Sequence, residues 1–186
     1  MPPRASGQTR DIIHAGDFMT QALLRSSLAA LACLALLGDA APAFAQKAVV
    51  VVRHAEKVDE STDPLLSAVG IARAEALQRA VKSLDIKAVY VTQFQRTWLT
   101  ADAVLKARAL TPIKLPADNM AAVAERMKAE HPNDVVLAVG HSNTTPKLLK
   151  ALGVTESIEI AHDEYDNLFI VIPSSTGPAT LLRLRY

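Results

Sequence analysis

Four consecutive valines, Val49 to Val52, run directly into Arg53-His54-Ala55-Glu56-Lys57. An unbroken β-branched run has no polar face, so it suits a strand covered on both sides, as in the middle of a parallel sheet. Parallel strands need long crossover connections, which helices usually supply. This one feature commits the chain to an α/β architecture. The run also ends in charge, and in open α/β sheets the carboxyl ends of the strands border the crevice where ligands bind.

The remaining pattern agrees. Strands are expected at 47–52, 88–92, 111–115, 135–139, 168–172 and 180–185, the last two joined as a hairpin. Ser67 is placed to cap a helix reaching about residue 83, with Val69, Ala72, Ala76, Leu77, Ala80, Val81 and Leu84 along its inner face. Further helices are expected at 94–108, at 118–130 with Asp118 as cap, and at 145–152, ended by Gly153. Strands alternating with helices imply a three-layer α/β sandwich, a mostly parallel central sheet with helices on both faces. Residues 46–186 form one such domain.

Residues 1–45 read differently. From Met19, the chain carries Arg25, an apolar run from Leu28 to Leu37, and a small-x-small Ala43-Phe44-Ala45 before Gln46. That is the order of a secretory signal peptide, and the run falls short of the roughly 18–20 residues that cross a bilayer. Residues 19–45 are therefore expected to be a signal cleaved after Ala45, giving a periplasmic or secreted domain with no stable membrane insertion, and residues 1–18 an upstream extension. Lipidation of Cys33 and a retained anchor are the alternatives. Cys33 is the only cysteine, which excludes an intrachain disulfide framework and a cysteine zinc site.

Composition removes other classes. A net charge of +1 leaves no polybasic face, and 4% aromatic residues leave little for base stacking, so nucleic acid is not an expected partner. What stands just past the strands is more informative. Arg53 and His54 follow the first, Arg96 follows the second through Thr92-Gln93-Phe94-Gln95, and His141 follows the fourth through Gly140. Four basic groups at one sheet edge repel one another unless an anion sits among them. Arginine offers paired hydrogen bonds to phosphate oxygens, so the implied ligand is a phosphoryl group.

These segments resemble the histidine phosphatase superfamily, which includes the phosphoglycerate mutases. Arg53-His54-Ala55-Glu56 is similar to its Arg-His-Gly-Glu signature, and Asp63-Pro64-Leu65-Leu66-Ser67-Ala68-Val69-Gly70 to the opening of its first helix. Thr92-Gln93-Phe94-Gln95-Arg96-Thr97 with Thr100-Ala101 is similar to its second-arginine segment, and Val139-Gly140-His141-Ser142-Asn143 to its second-histidine segment. The resemblance spans residues 47–186. It implies a phosphatase hydrolysing phosphomonoesters or a phosphorylated protein side chain through a phosphohistidine on His54. Arg53, Arg96 and His141 would hold the phosphoryl oxygens, with no metal and no cofactor. A non-hydrolytic module binding phosphorylated ligands and a phosphomutase are the alternatives.

The chain departs from the family at the general acid. No glutamate matches the mutase pattern, and Ser142 stands where the phytase-like branch has an acid. Asp63 is the preferred donor, with Glu56, Asp163 and Glu164 as further candidates and no donor at all as another. No insertion is long enough for a lid, so an open site is expected. Sequencing the exported mature chain should return Gln46 as its first residue, and a start at any other position would overturn the cleavage reading.

Overall fold

The computed structural model describes residues 47–186; the expected signal peptide and the extension before it lie outside the described residues. Strand β1 (Ala48–Arg53) sits inside a six-stranded sheet of order β3-β2-β4-β1-β5-β6. The other strands are β2 (Ile86–Thr92), β3 (Ile113–Leu115), β4 (Val135–Gly140), β5 (Asn167–Ile172) and β6 (Thr180–Arg185), of which β4 and β5 flank β1. Strands β3, β2, β4 and β1 run parallel, while β5 and β6 run antiparallel to their neighbours.

The valine run behaves as its composition requires. Val49 and Val51 enter one core with Met120, Met127, Leu149 and Phe169, while Val50 and Val52 enter the other with Leu77, Val81, Val104 and Leu105. All four valines are fully buried. The first core is roofed by α3 (Met120–Glu130) and α4 (Thr145–Ala151), the second by α1 (Ala68–Ala80) and α2 (Gln95–Arg108). The sheet is thus covered on both faces, as expected. Among the described residues no helix is long and apolar enough to cross a membrane.

Two local expectations are corrected. Helix α3 is capped by Asn119, whose side chain accepts from the Ala122 N–H at 3.0 Å, and not by Asp118. The inner stripe of α1 is Gly70, Ala74 and Leu77, continuing to Val81, whereas Val69, Ala72 and Ala80 face solvent. The reason lies at the helix start. Ser67 does cap α1, accepting from the Gly70 N–H, while its own N–H donates to Glu56 O at 2.9 Å. That contact presses Gly70 against the loop after β1 and rotates the stripe with it.

Gly70 is consequently irreplaceable for a steric reason, not a conformational one. A Cβ there would lie 2.2 Å from the backbone oxygen of Glu56. Glycine to alanine inside an exposed helix normally stabilises by roughly 0.5–1 kcal/mol. Gly70→Ala should instead destabilise by about 1–3 kcal/mol, the usual range for overpacking, as read from urea unfolding midpoints. A variant as stable as the parent would show that α1 does not seat on the Glu56 backbone.

Candidate active site

Strand pairing places the site. In the β1–β4 register Arg53 lies beside Gly140, and the ladder continues one step as the His54 N–H donates to Gly140 O at 2.9 Å. The next residue on β4's side is His141, so the two imidazoles meet edge to face with ring centroids 5.2 Å apart. Both rings are buried, as is Arg53. Arg96 enters from the first turn of α2, its guanidinium stacked over Phe94 at 4.3 Å. Phe94 also packs edge to face on His141 at 5.5 Å. Arg53, His54, Arg96 and His141 line one cavity of about 290 Å³, at the low end for small-ligand sites.

Each of these side chains is held by the surrounding chain. His54 Nδ1 lies 2.8 Å from Ala55 O. A carbonyl oxygen only accepts, so Nδ1 carries the hydrogen and Nε2 presents its lone pair. Ala55 in turn donates its N–H to Thr100 Oγ1 on α2 at 2.9 Å. His141 Nε2 is 2.9 Å from Thr92 Oγ1, and the His141 N–H donates to Thr144 Oγ1 at 2.9 Å. Arg53 Nη1 donates to the carbonyls of Ala161, His162 and Glu164, and its guanidinium stacks on Tyr165 at 4.0 Å.

The electrostatics follow from this enclosure. Burial, with His141, Arg53 and Arg96 close by, lowers His54 to about 3, although its bond to Ala55 O works the other way. Burial and the two arginines lower His141 to about 4. Both rings are therefore neutral at physiological pH. Burial also pulls both arginines below the ordinary arginine value. Among the described residues the buried Nε atoms of Arg53 and Arg96 have no hydrogen-bond partner in the protein. Two arginines beside neutral imidazoles make a cavity lining that suits an oxyanion.

The carboxylates proposed as proton donors stand elsewhere. Glu56 is gripped by Arg73, whose Nε lies 2.8 and 2.9 Å from its two oxygens and whose Nη2 is 2.6 Å from Oε1. Burial pushes this carboxyl up, but the Arg73 bonds outweigh it and hold Glu56 below the usual range. Asp63 accepts from the Gln95 N–H at 2.8 Å and faces Arg96 Nη1 at 3.7 Å, and it is not among the residues that line the cavity. Glu164 accepts from the Ala161 N–H and pairs with Arg185. Neither Glu164 nor Asp163 lines the cavity, and no other carboxylate among the described residues does.

Sequence reasoning missed Lys57 and His162, which line the same cavity, and the supports Phe94, Tyr165, Thr92 and Thr100. Lys57 follows the first histidine closely enough to have been suspected. His162 and Tyr165 reach the site only because β5 is antiparallel to β1, which the local pattern does not reveal. Trp98 packs against the second core and does not reach the cavity. Among the described residues no cluster of three or more His, Cys, Asp or Glu side chains could hold a metal ion.

The family profile described as histidine phosphatase superfamily (branch 1) matches residues 49–117, which include Arg53, His54 and Arg96 but not His141. No curated protein sequence matches the chain. The fold is shared with the protein histidine phosphatase SixA complexed with tungstate, at 18% identity and TM-score 0.63, covering 74% of this chain and 96% of that one. A proposed alpha-ribazole-5'-P phosphatase from Escherichia coli K-12 has 14% identity and TM-score 0.61, with 75% and 96% covered. A mycobacterial glucosyl-3-phosphoglycerate phosphatase has 11% identity and TM-score 0.55, with 75% and 98% covered. At these identities the likeness is one of fold.

The two depressed histidines also set how stability responds to acid. The unfolded chain takes up protons at these rings near the ordinary 6.5, before the folded chain does. Their contribution is therefore complete above about pH 6.5 and is lost as the pH falls toward 4 and then 3. The urea midpoint should fall steadily below pH 6.5, and His141→Ala should flatten that slope. An unchanged slope in the variant would contradict a buried, neutral His141.

Proposed function

We propose that this chain, whose residues 49–117 match the histidine phosphatase superfamily profile, is a metal-independent phosphatase of that superfamily acting through a phosphohistidine on His54. One observation carries the reading: His54 is held with Nε2 unprotonated, in a cavity that Arg53, Arg96 and His141 also line. Phosphoryl transfer asks for little more than position and charge stabilisation. Nε2 attacks phosphorus, the bond to the leaving group breaks, and its electron pair departs with that group. Arg53, Arg96 and the neutral His141 hold the equatorial oxygens through transfer. Water then attacks the phosphohistidine, the Nε2–P bond breaks, and orthophosphate leaves with His54 restored.

Asp63 serves in this reading as a positioning residue for Arg96, since it touches the guanidinium and not the cavity. With no carboxylate lining the cavity, leaving groups that depart without a proton are favoured. The SixA structures are described as protein histidine and phosphohistidine phosphatases, and a phosphoramidate on a protein side chain is one substrate of that kind. The open, lidless mouth suits it.

Labelled phosphodonor, acid-labile trapping and phosphate release test the proposal. Wild type should form acid-labile label that His54→Ala does not. Arg96→Ala should lower kcat/KM by about 10- to 150-fold, the value of one charge-assisted contact. The acid limb of kcat/KM should fall well below 6.5, because that profile reports the free enzyme's His54 at about 3. Stoichiometric binding of phosphorylated ligand with neither label nor release would instead support the binding-module alternative.

A further inference from the structure

The cavity holds more positive character than one phosphoryl group needs. Arg53, Arg96, His54 and His141 account for the phosphoryl site, yet Lys57 and His162 line the same cavity. Lys57 is fixed at the root of a hairpin loop by its backbone bridge to Leu66, and its side chain is only 15% exposed. Its ammonium donates to Glu60 Oε2 at 2.5 Å, but that carboxylate is 74% exposed and stands outside the cavity lining. With Glu60 so open to water its hold on Lys57 is weakened by solvent, so a ligand anion inside the cavity can compete for Lys57.

His162 comes from the opposite side. The turn that carries it is tied down by Arg53 through three carbonyls, and the acids that follow are drawn outward to Arg185. Of the run from His162 to Asp166, only His162 lines the cavity. Two cationic or N–H donor groups from separate loops therefore line the cavity beside the phosphoryl site, and the acid nearest them, Glu60, which pairs with Lys57 and is felt by His162, is not among the lining residues.

We propose that Lys57 and His162 form a second anion-binding point, and that the preferred substrate is a terminal phosphoanhydride. The inference rests on the phosphatase reading and narrows it. A diphosphate meets both properties of the cavity at once: its leaving phosphate needs no proton, and its remaining charge lies against Lys57 and His162. The step balances. The His54 Nε2 lone pair forms the N–P bond while the bridging P–O bond breaks, its electrons remaining on the departing phosphate. Water then cleaves the phosphohistidine, giving a second phosphate and releasing its proton to solvent.

The test compares inorganic pyrophosphate, ethyl phosphate and p-nitrophenyl phosphate as substrates, with chelator present. Pyrophosphate should exceed ethyl phosphate in kcat/KM by at least about 100-fold, the combined effect of leaving group and second contact. Lys57→Ala and His162→Ala should each lower kcat/KM for pyrophosphate at least about tenfold more than for p-nitrophenyl phosphate, chiefly through KM. Lys57→Arg should restore most of that loss, and the unfolding midpoints should confirm that the variants fold. Equal losses on both substrates, or no preference for pyrophosphate, would overturn the second point while leaving the phosphatase reading intact. If nothing is turned over, calorimetry decides. Pyrophosphate binding tighter than orthophosphate, with the difference lost in Lys57→Ala, supports the second point; equal binding overturns it.

Discussion

Two guanidinium groups and two imidazoles packed into one cavity oppose one another electrostatically, and much of the local structure serves to hold them there. Charges of one sign in a partly desolvated site repel strongly. The fold answers in two ways. It keeps both histidines neutral, so that only the arginines carry full charge. It then anchors each arginine by atoms that are not available to a ligand. Arg53 spends Nη1 on three carbonyls and its face on Tyr165, and Arg96 spends Nη1 on Thr62 O and Asp63 and its face on Phe94. Among the described residues the buried Nε–H of each arginine has no hydrogen-bond partner.

This arrangement depends on a sheet that is not wholly parallel. β1, β2 and β4 all end at one edge and deliver Arg53, Thr92 and Gly140 there. β5 runs the other way beside β1, so it is the turn entering β5 that lies at that edge. That turn supplies the carbonyls that fix Arg53 and the ring that stacks on it. A fully parallel neighbour would have brought another strand end and no such cradle. The first helix completes the frame from below, with Gly70 seated against the Glu56 backbone.

How much of this was legible in the sequence depends on the range over which each signal acts. The valine run and the basic residues past three strand ends are local signals, and they led to the sheet, its two cores and Arg53, His54, Arg96 and His141 at one cavity. Ser67 was legible as a cap for the same reason. The stripe of α1 was misread because alanines at 68, 72, 74, 76 and 80 give almost no contrast between faces, and a single glycine contact decided the rotation. The carboxylates were the least legible. Glu56 sits two residues from His54 in the chain, yet its partner is Arg73 on α1, a pairing that nothing in local spacing announces.

The position of those carboxylates has a common logic. An acid placed inside a cavity lined by two arginines would pair with one of them, stay ionised, and be useless as a proton donor while weakening the phosphoryl site. Acids kept out of the lining do the opposite: they hold the groups that form it. Asp63 backs Arg96, Glu56 ties α1 to the loop after β1 through Arg73, and Glu164 with Arg185 braces the turn beneath Arg53. The same choice that strengthens anion binding removes the proton source. In the phosphatase proposed above, the burden of departure then falls on the leaving group's own chemistry, and a cavity built this way would select among phosphorylated compounds by how readily the phosphoryl group is given up.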